Sequence, residues 1–102
     1  MARVAWTARI RPERIEEYER AHANVWPEVL ALIKEAGVHD YSIFRHGTRL
    51  FGYYECDDPE TAKAEMAVGE RDAGWSAAMA DLFEPEVAER GADEMLEIFR
   101  LD

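Results

Sequence analysis

The sequence holds one cysteine, Cys56, in 102 residues, which excludes an internal disulfide framework and a cysteine-based zinc cluster. Positive charge is scarce: 12 Lys and Arg stand against 22 Asp and Glu, for a formal net charge of -10. A surface of that sign repels phosphate backbones and anionic headgroups, so neither nucleic acid nor a membrane is an expected partner. No apolar run approaches membrane-spanning length, and the opening MARVAWTARIRP lacks a long apolar segment of the secretory kind, which predicts a soluble cytoplasmic protein. The six glycines stand singly, so no phosphate-cradling loop is expected. His22, His39 and His46 are too dispersed for a zinc site, and no metal is expected. No serine or cysteine lies in a recognisable activating context for nucleophilic catalysis.

The length fits one domain, 1–102. Val4, Trp6, Ala8 and Ile10 alternate with polar or small residues, which predicts a half-buried strand over residues 3–10. After Arg11-Pro12, the stripe Ile15, Tyr18 and His22 predicts an amphipathic helix to about Ala23. Pro27 is tolerated near a helix start, so a second helical segment opens at Trp26-Pro27-Glu28, turns Val29, Leu30 and Ile33 inward and ends at Gly37. Tyr41 to Arg45 and Leu50 to Cys56 read as two strands joined by a hairpin turn at His46–Arg49. Asp58-Pro59 supplies an N-cap and a first-turn proline for a helix over 60–68, which Gly69 is expected to interrupt. Trp75, Met79, Leu82 and Phe83 form a further inward stripe over 72–83, ended by Glu84-Pro85-Glu86 and followed by a polar loop through Asp93. Alternation from Met95 to Leu101 predicts a last strand.

Strand, helix, strand, strand, helix, strand is an α+β, ferredoxin-like split βαβ order, with helices on one face of an antiparallel sheet. The other face then needs cover, and two such sheets packed face to face predict a symmetric homodimer.

The densest chemistry is Tyr18-x3-His22-x3-Trp26-Pro27-Glu28, whose spacing stacks a phenol, an imidazole and an indole on one helical face. His22 is the sharpest candidate for proton transfer, because histidine alone titrates unperturbed near neutrality. The spacing alone favours core packing over function, for His22 as for Tyr18. Trp75 offers a flat surface for the C–H face of a sugar, or a core anchor. Tyr41 reaches the mouth of a cleft, or bridges core and solvent. Trp26 fits the core beside the Pro27 helix start, and His39 and His46 read as solvated.

Taken in order, Tyr18-x3-His22-x3-Trp26-Pro27-Glu28, Gly37-Val38-His39-Asp40-Tyr41-Ser42-Ile43, Leu50-Phe51, Trp75-x3-Met79-x-Asp81 and Leu96-Glu97-x-Phe99 resemble the L-rhamnose mutarotase family over nearly the whole chain. The resemblance implies a dimeric α+β barrel that interconverts the α and β anomers of a 6-deoxyhexose pyranose without a cofactor. It maps proton transfer onto His22 and sugar contact onto Tyr18, Tyr41 and Trp75, with a monosaccharide as the partner. Three departures bear on the substrate: Ser76 follows Trp75 where many members have a second tryptophan, Ala8 stands where a larger residue is common, and Asp40 replaces a frequent asparagine. L-fucose is therefore an alternative to L-rhamnose. Cofactor-independent monooxygenases and haem-degrading proteins share the barrel architecture and form a second functional class.

Overall fold

Alternation in the first strand has a direct structural counterpart. In the computed structural model, which describes all 102 residues, β1 (Ala2–Arg9) buries Val4 and Ala8 and half-buries Trp6. Ile10 follows as an isolated bridge to Phe83 and is fully buried. A 3-10 turn at Pro12–Arg14 leads into α1 (Ile15–Ala23), and α2 (Pro27–Glu35) begins with its proline in the first turn, where no intrahelical N–H is needed. Gly37, with φ 84°, carries the chain out of α2 into β2 (His39–His46). β2 pairs with β3 (Arg49–Cys56) through the two-residue turn Gly47-Thr48, where Gly47 has φ 61°.

Chain order continues with α3 (Pro59–Ala73), α4 (Trp75–Ala80), α5 (Pro85–Arg90) and β4 (Asp93–Met95). Asp58 caps α3, its carboxylate accepting from the backbone N–H and the hydroxyl of Thr61. The sheet order is β2-β3-β1-β4, with every neighbouring pair antiparallel. This is the ferredoxin-like α+β fold. Ten of the buried side chains form two clusters: Val4, Val38, Tyr54, Cys56, Ala62 and Met66, and Ile10, Tyr18, Leu50 and Leu82. Trp6 packs against both.

Five sequence expectations need correction. Gly69 does not interrupt α3, which runs through it. A Cβ at Gly69 would lie 3.0 Å from Leu32 Cδ1 of α2, so the glycine marks close helix packing instead of a break. The helix expected over 72–83 is split, since Gly74 takes the left-handed conformation between α3 and α4, and Leu82 and Phe83 follow the end of α4. Pro85 opens α5 in a stretch expected to be loop, the same first-turn proline used by α2. Leu30, expected to face inward, is exposed. The last strand is Asp93–Met95, paired with Ala5–Thr7, and does not extend over Met95–Leu101. Beyond it Leu96, Ile98, Phe99 and Leu101 are exposed, because a single chain offers their apolar side chains no surface to cover.

Candidate functional site

On α1 the four-residue spacing brings the Tyr18 and His22 rings into a stack, with centroids 4.1 Å apart and planes inclined by 23°. Gly74 turns the chain so that α4 opens with Trp75, whose buried indole meets His22 edge-on at 5.6 Å. Trp26 packs edge-on against the far side of that arrangement, 5.0 Å from Trp75, and supports it without lining the cavity. Tyr18 also meets Phe83 edge-on at 5.8 Å. His22 is thus held by aromatic contacts on two sides.

Tyr41 arrives from β2 just after an irregularity in its pairing with β3, between His39 and Ser42. Asp40 occupies this kink with φ 53°, a left-handed conformation that Asp and Asn tolerate better than other non-glycine residues. Tyr41, two residues before Ile43 and on the same core-facing side of the strand, has its ring 5.1 Å from that of Tyr54, and its hydroxyl accepts a 3.1 Å hydrogen bond from Trp6 Nε1. Trp6 has room because Gly52 lies directly across from it: a Cβ at Gly52 would fall 2.0 Å from Trp6 Cε2.

His22, Tyr18, Tyr41 and Trp75, the four site residues singled out in the sequence, line one cavity of about 780 Å³, together with Trp6, Glu70 and Ser76. That volume accommodates a monosaccharide with room to spare. Trp6 was legible only as an inward strand residue, and nothing in the spacing marked its bond to Tyr41. Glu70 falls just outside the helix expected over 60–68, past the Gly69 expected to interrupt it, with no motif around it.

Electrostatics define the protonation states. His22 Nδ1 lies 3.0 Å from the Tyr18 carbonyl oxygen, which can only accept, so Nδ1 carries the proton and donates it. Burial lowers the imidazole pKa, opposed by that same hydrogen bond. The resting histidine is therefore neutral at pH 7, with an unprotonated Nε2 able to act as a base. Burial also pushes the Tyr18 hydroxyl well above its ordinary value, with the neighbouring Tyr41 adding to the effect. Tyr41 is pushed up to about 12, mainly by burial and against the bond from Trp6. Both phenols stay protonated and can donate.

His39, Asp40 and Glu55 bring potential metal-ligand atoms within 4.8 Å of one another. His39 Nδ1 is 2.9 Å from Asp40 Oδ2, and both residues are exposed, so a surface pair accounts for this cluster without an ion. No helix is long and apolar enough to cross a membrane.

Residues 3–101 match the family model described as L-rhamnose mutarotase. An L-rhamnose mutarotase of Oceanobacillus iheyensis is 36% identical over 75 residues, covering 70% of this chain and 72% of that protein. One from Yersinia pestis is 36% identical over 77 residues, 74% of each. Among solved structures, an L-rhamnose mutarotase from Formosa agariphila superposes with a TM-score of 0.79 at 24% identity, covering 100% of both chains. A dimeric ferredoxin-like protein from an uncultured marine organism aligns with a TM-score of 0.54 at 14% identity, over 74% of this chain and 75% of that one. At those identities the two structures speak to the fold alone.

Proposed function

Because the chain belongs to the L-rhamnose mutarotase family, whose activity is anomer interconversion, we propose that the cavity beside His22 is where it interconverts the α and β anomers of a 6-deoxyhexose, with L-rhamnose as the leading substrate. The observation that carries this reading is the polarity of His22: Nδ1 is committed to the Tyr18 carbonyl, and Nε2 is the nitrogen left for chemistry.

Ring opening requires the anomeric hydroxyl to lose a proton, the C1–O5 bond to break and O5 to gain a proton. In the proposed sequence Nε2 takes the proton from O1 as the carbonyl forms, and the resulting imidazolium delivers it to O5. Both oxygens are bonded to C1, so one nitrogen can serve both with a small movement. Negative charge building on oxygen between these transfers is met by hydroxyl donors. Tyr41 suits this role, because Trp6 occupies its acceptor side and leaves its own proton to be donated. After rotation about C1–C2, reclosure runs the same transfers backwards onto the other face. The barrier reduction needed is modest, since mutarotation already proceeds unaided and each ~1.4 kcal/mol is tenfold in rate. Trp75 supplies a flat wall on which C–H groups of the sugar can stack. Ser76 in place of a second indole, and Ala8 on the cavity wall, enlarge the space around the sugar, so L-fucose belongs in the same assay.

The working unit in this reading is a homodimer. On the sheet face away from the helices, Phe44 is 64% exposed and lies opposite Phe51, and beyond the last strand Leu96, Ile98, Phe99 and Leu101 are exposed apolar side chains as well. Packing two sheets face to face would cover this side of the sheet. Light scattering at micromolar concentration is expected to give twice the mass of one chain, and Phe44→Glu is expected to shift that mass toward the monomer. A monomeric wild-type protein would contradict the dimer. The activity is read by saturation-transfer NMR, as faster exchange between the α and β anomeric protons of L-rhamnose when protein is added.

A further inference from the structure

Glu70 stands on the cavity wall with His22, Tyr41 and Trp75, and the proton-transfer sequence above gives it no part. Its placement is fixed by packing. It lies one turn after Met66, which is buried in the core, and directly after Gly69, where α3 closes on Leu32 of α2. Its charge is felt at Tyr41 of β2 and Tyr54 of β3, which puts it on the Tyr41 side of the cavity. Glu70 is partly buried, yet no hydrogen bond or neighbouring cation stabilises its ionised form, and burial alone pushes its carboxyl above the usual carboxylate range. Lys34 of α2 lines the same cavity without pairing with it. Asp40, the other acid on the wall, is exposed and already bonded to His39.

A partly buried carboxylate without a partner costs stability and persists where something else rewards it. Its natural complement is a ligand that brings hydrogen-bond donors in pairs, because the two carboxylate oxygens can accept from two adjacent hydroxyls at once. A pyranose presents such pairs. The neighbouring wall groups supply donors or a single neutral acceptor: Tyr18 and Tyr41 are protonated, and His22 offers only Nε2. We infer that Glu70 is a substrate-binding residue whose carboxylate accepts hydrogen bonds from two adjacent ring hydroxyls, and so helps to decide which sugars the cavity holds. The inference rests on the mutarotase reading and deepens it.

Glu70→Gln preserves shape while removing the charge and half of the acceptor capacity. For L-rhamnose exchange the expected result is a KM raised roughly tenfold or more with kcat changed by less than about threefold, the pattern of a lost binding contact. Glu70→Asp should recover part of the affinity. Thermal unfolding of Glu70→Gln should occur at an unchanged or higher temperature, since the variant no longer buries an unpaired charge. Wild-type KM should rise as pH falls through the Glu70 range, above that of an ordinary carboxylate, and the rise should be absent in Glu70→Gln. Of the groups around Glu70, the phenols of Tyr41 and Tyr54 are pushed up by burial and stay protonated in that range, Lys34 stands on the same cavity wall, and His22 is followed separately through kcat. An active wild type whose KM and its pH dependence survive in Glu70→Gln overturns the Glu70 role alone. So does a Glu70→Gln protein that melts earlier and loses kcat and KM together, which would make the residue structural. A wild type that neither binds nor exchanges any deoxyhexose overturns the mutarotase reading, and the Glu70 role with it.

Discussion

Replacing His22 with alanine is expected to abolish most of the acceleration of anomer exchange, by a factor on the order of 10²–10³, within the range for a positioned acid–base group. The expectation follows from the tautomer: His22, held between the Tyr18 and Trp75 rings, combines a neutral resting state, a lone pair free for a proton and a fixed second hydrogen bond. Alanine also removes the stack on Tyr18 and the edge contact with Trp75, together about 1–2 kcal/mol of aromatic interaction. Lost activity could then be blamed on loosened packing. His22→Phe separates the effects, since it keeps a ring between Tyr18 and Trp75 while removing both nitrogens. It should be as inactive as His22→Ala and more stable. Burial lowers the histidine pKa, so the neutral form persists below the ordinary histidine value, and the acid limb of the wild-type kcat profile should lie below pH 6.5. A limb above pH 6.5, or His22→Phe with wild-type exchange, would remove His22 from the mechanism.

The largest expected effect on stability comes from one added methyl group. In Gly52→Ala the new Cβ would sit 2.0 Å from Trp6 Cε2 and 2.3 Å from Cζ2 and Nε1, against the body of an indole rather than the end of a flexible chain. Trp6 cannot simply step aside, because it packs against both core clusters. Overpacking of this kind costs about 3 kcal/mol, which in a domain of this length lowers the melting temperature by about 10–20 °C. The displaced indole also loses its bond to Tyr41, so kcat should fall in whatever fraction remains folded. Adding Trp6→Ala should restore much of the lost stability without restoring activity, a coupling that additive effects would not give. A Gly52→Ala protein melting within a few degrees of wild type would contradict this account of the β1–β3 contact.

Those two sites show where sequence information was sufficient and where it was not. Strand alternation in β1, the helix start at Pro27, the cap at Asp58 and the turn at Gly47-Thr48 are local signals, and each has its expected structural counterpart. His22 and Tyr18 meet because four-residue spacing on a helix requires it. Tyr41 and Trp75 share their cavity through long-range pairing that no local pattern encodes, and only the family resemblance placed them there. At Gly69 glycine's local tendency to end a helix is outweighed by a packing need for a residue without a side chain. Pro85 opens a helix where its ring suggests a terminator, because proline is favourable at a helix start. The alternation from Met95 to Leu101 is real as a pattern, but a pattern does not say what covers it, and the strand within the chain ends at Met95. Glu70 carries no recognisable spacing, and Trp6 only that of an inward strand residue. Their roles emerge only once Gly52 clears space for the indole and α3 closes on α2.

The central claim is that this cavity catalyses anomer exchange. Saturation-transfer NMR on L-rhamnose tests it most directly, with L-fucose and other deoxyhexoses run in parallel and His22→Phe as the folded control. The account predicts that saturating one anomeric proton transfers to the other faster in proportion to added wild-type protein, for at least one deoxyhexose, and at the uncatalysed rate with His22→Phe. Uncatalysed exchange for every sugar in the presence of folded wild-type protein would contradict it.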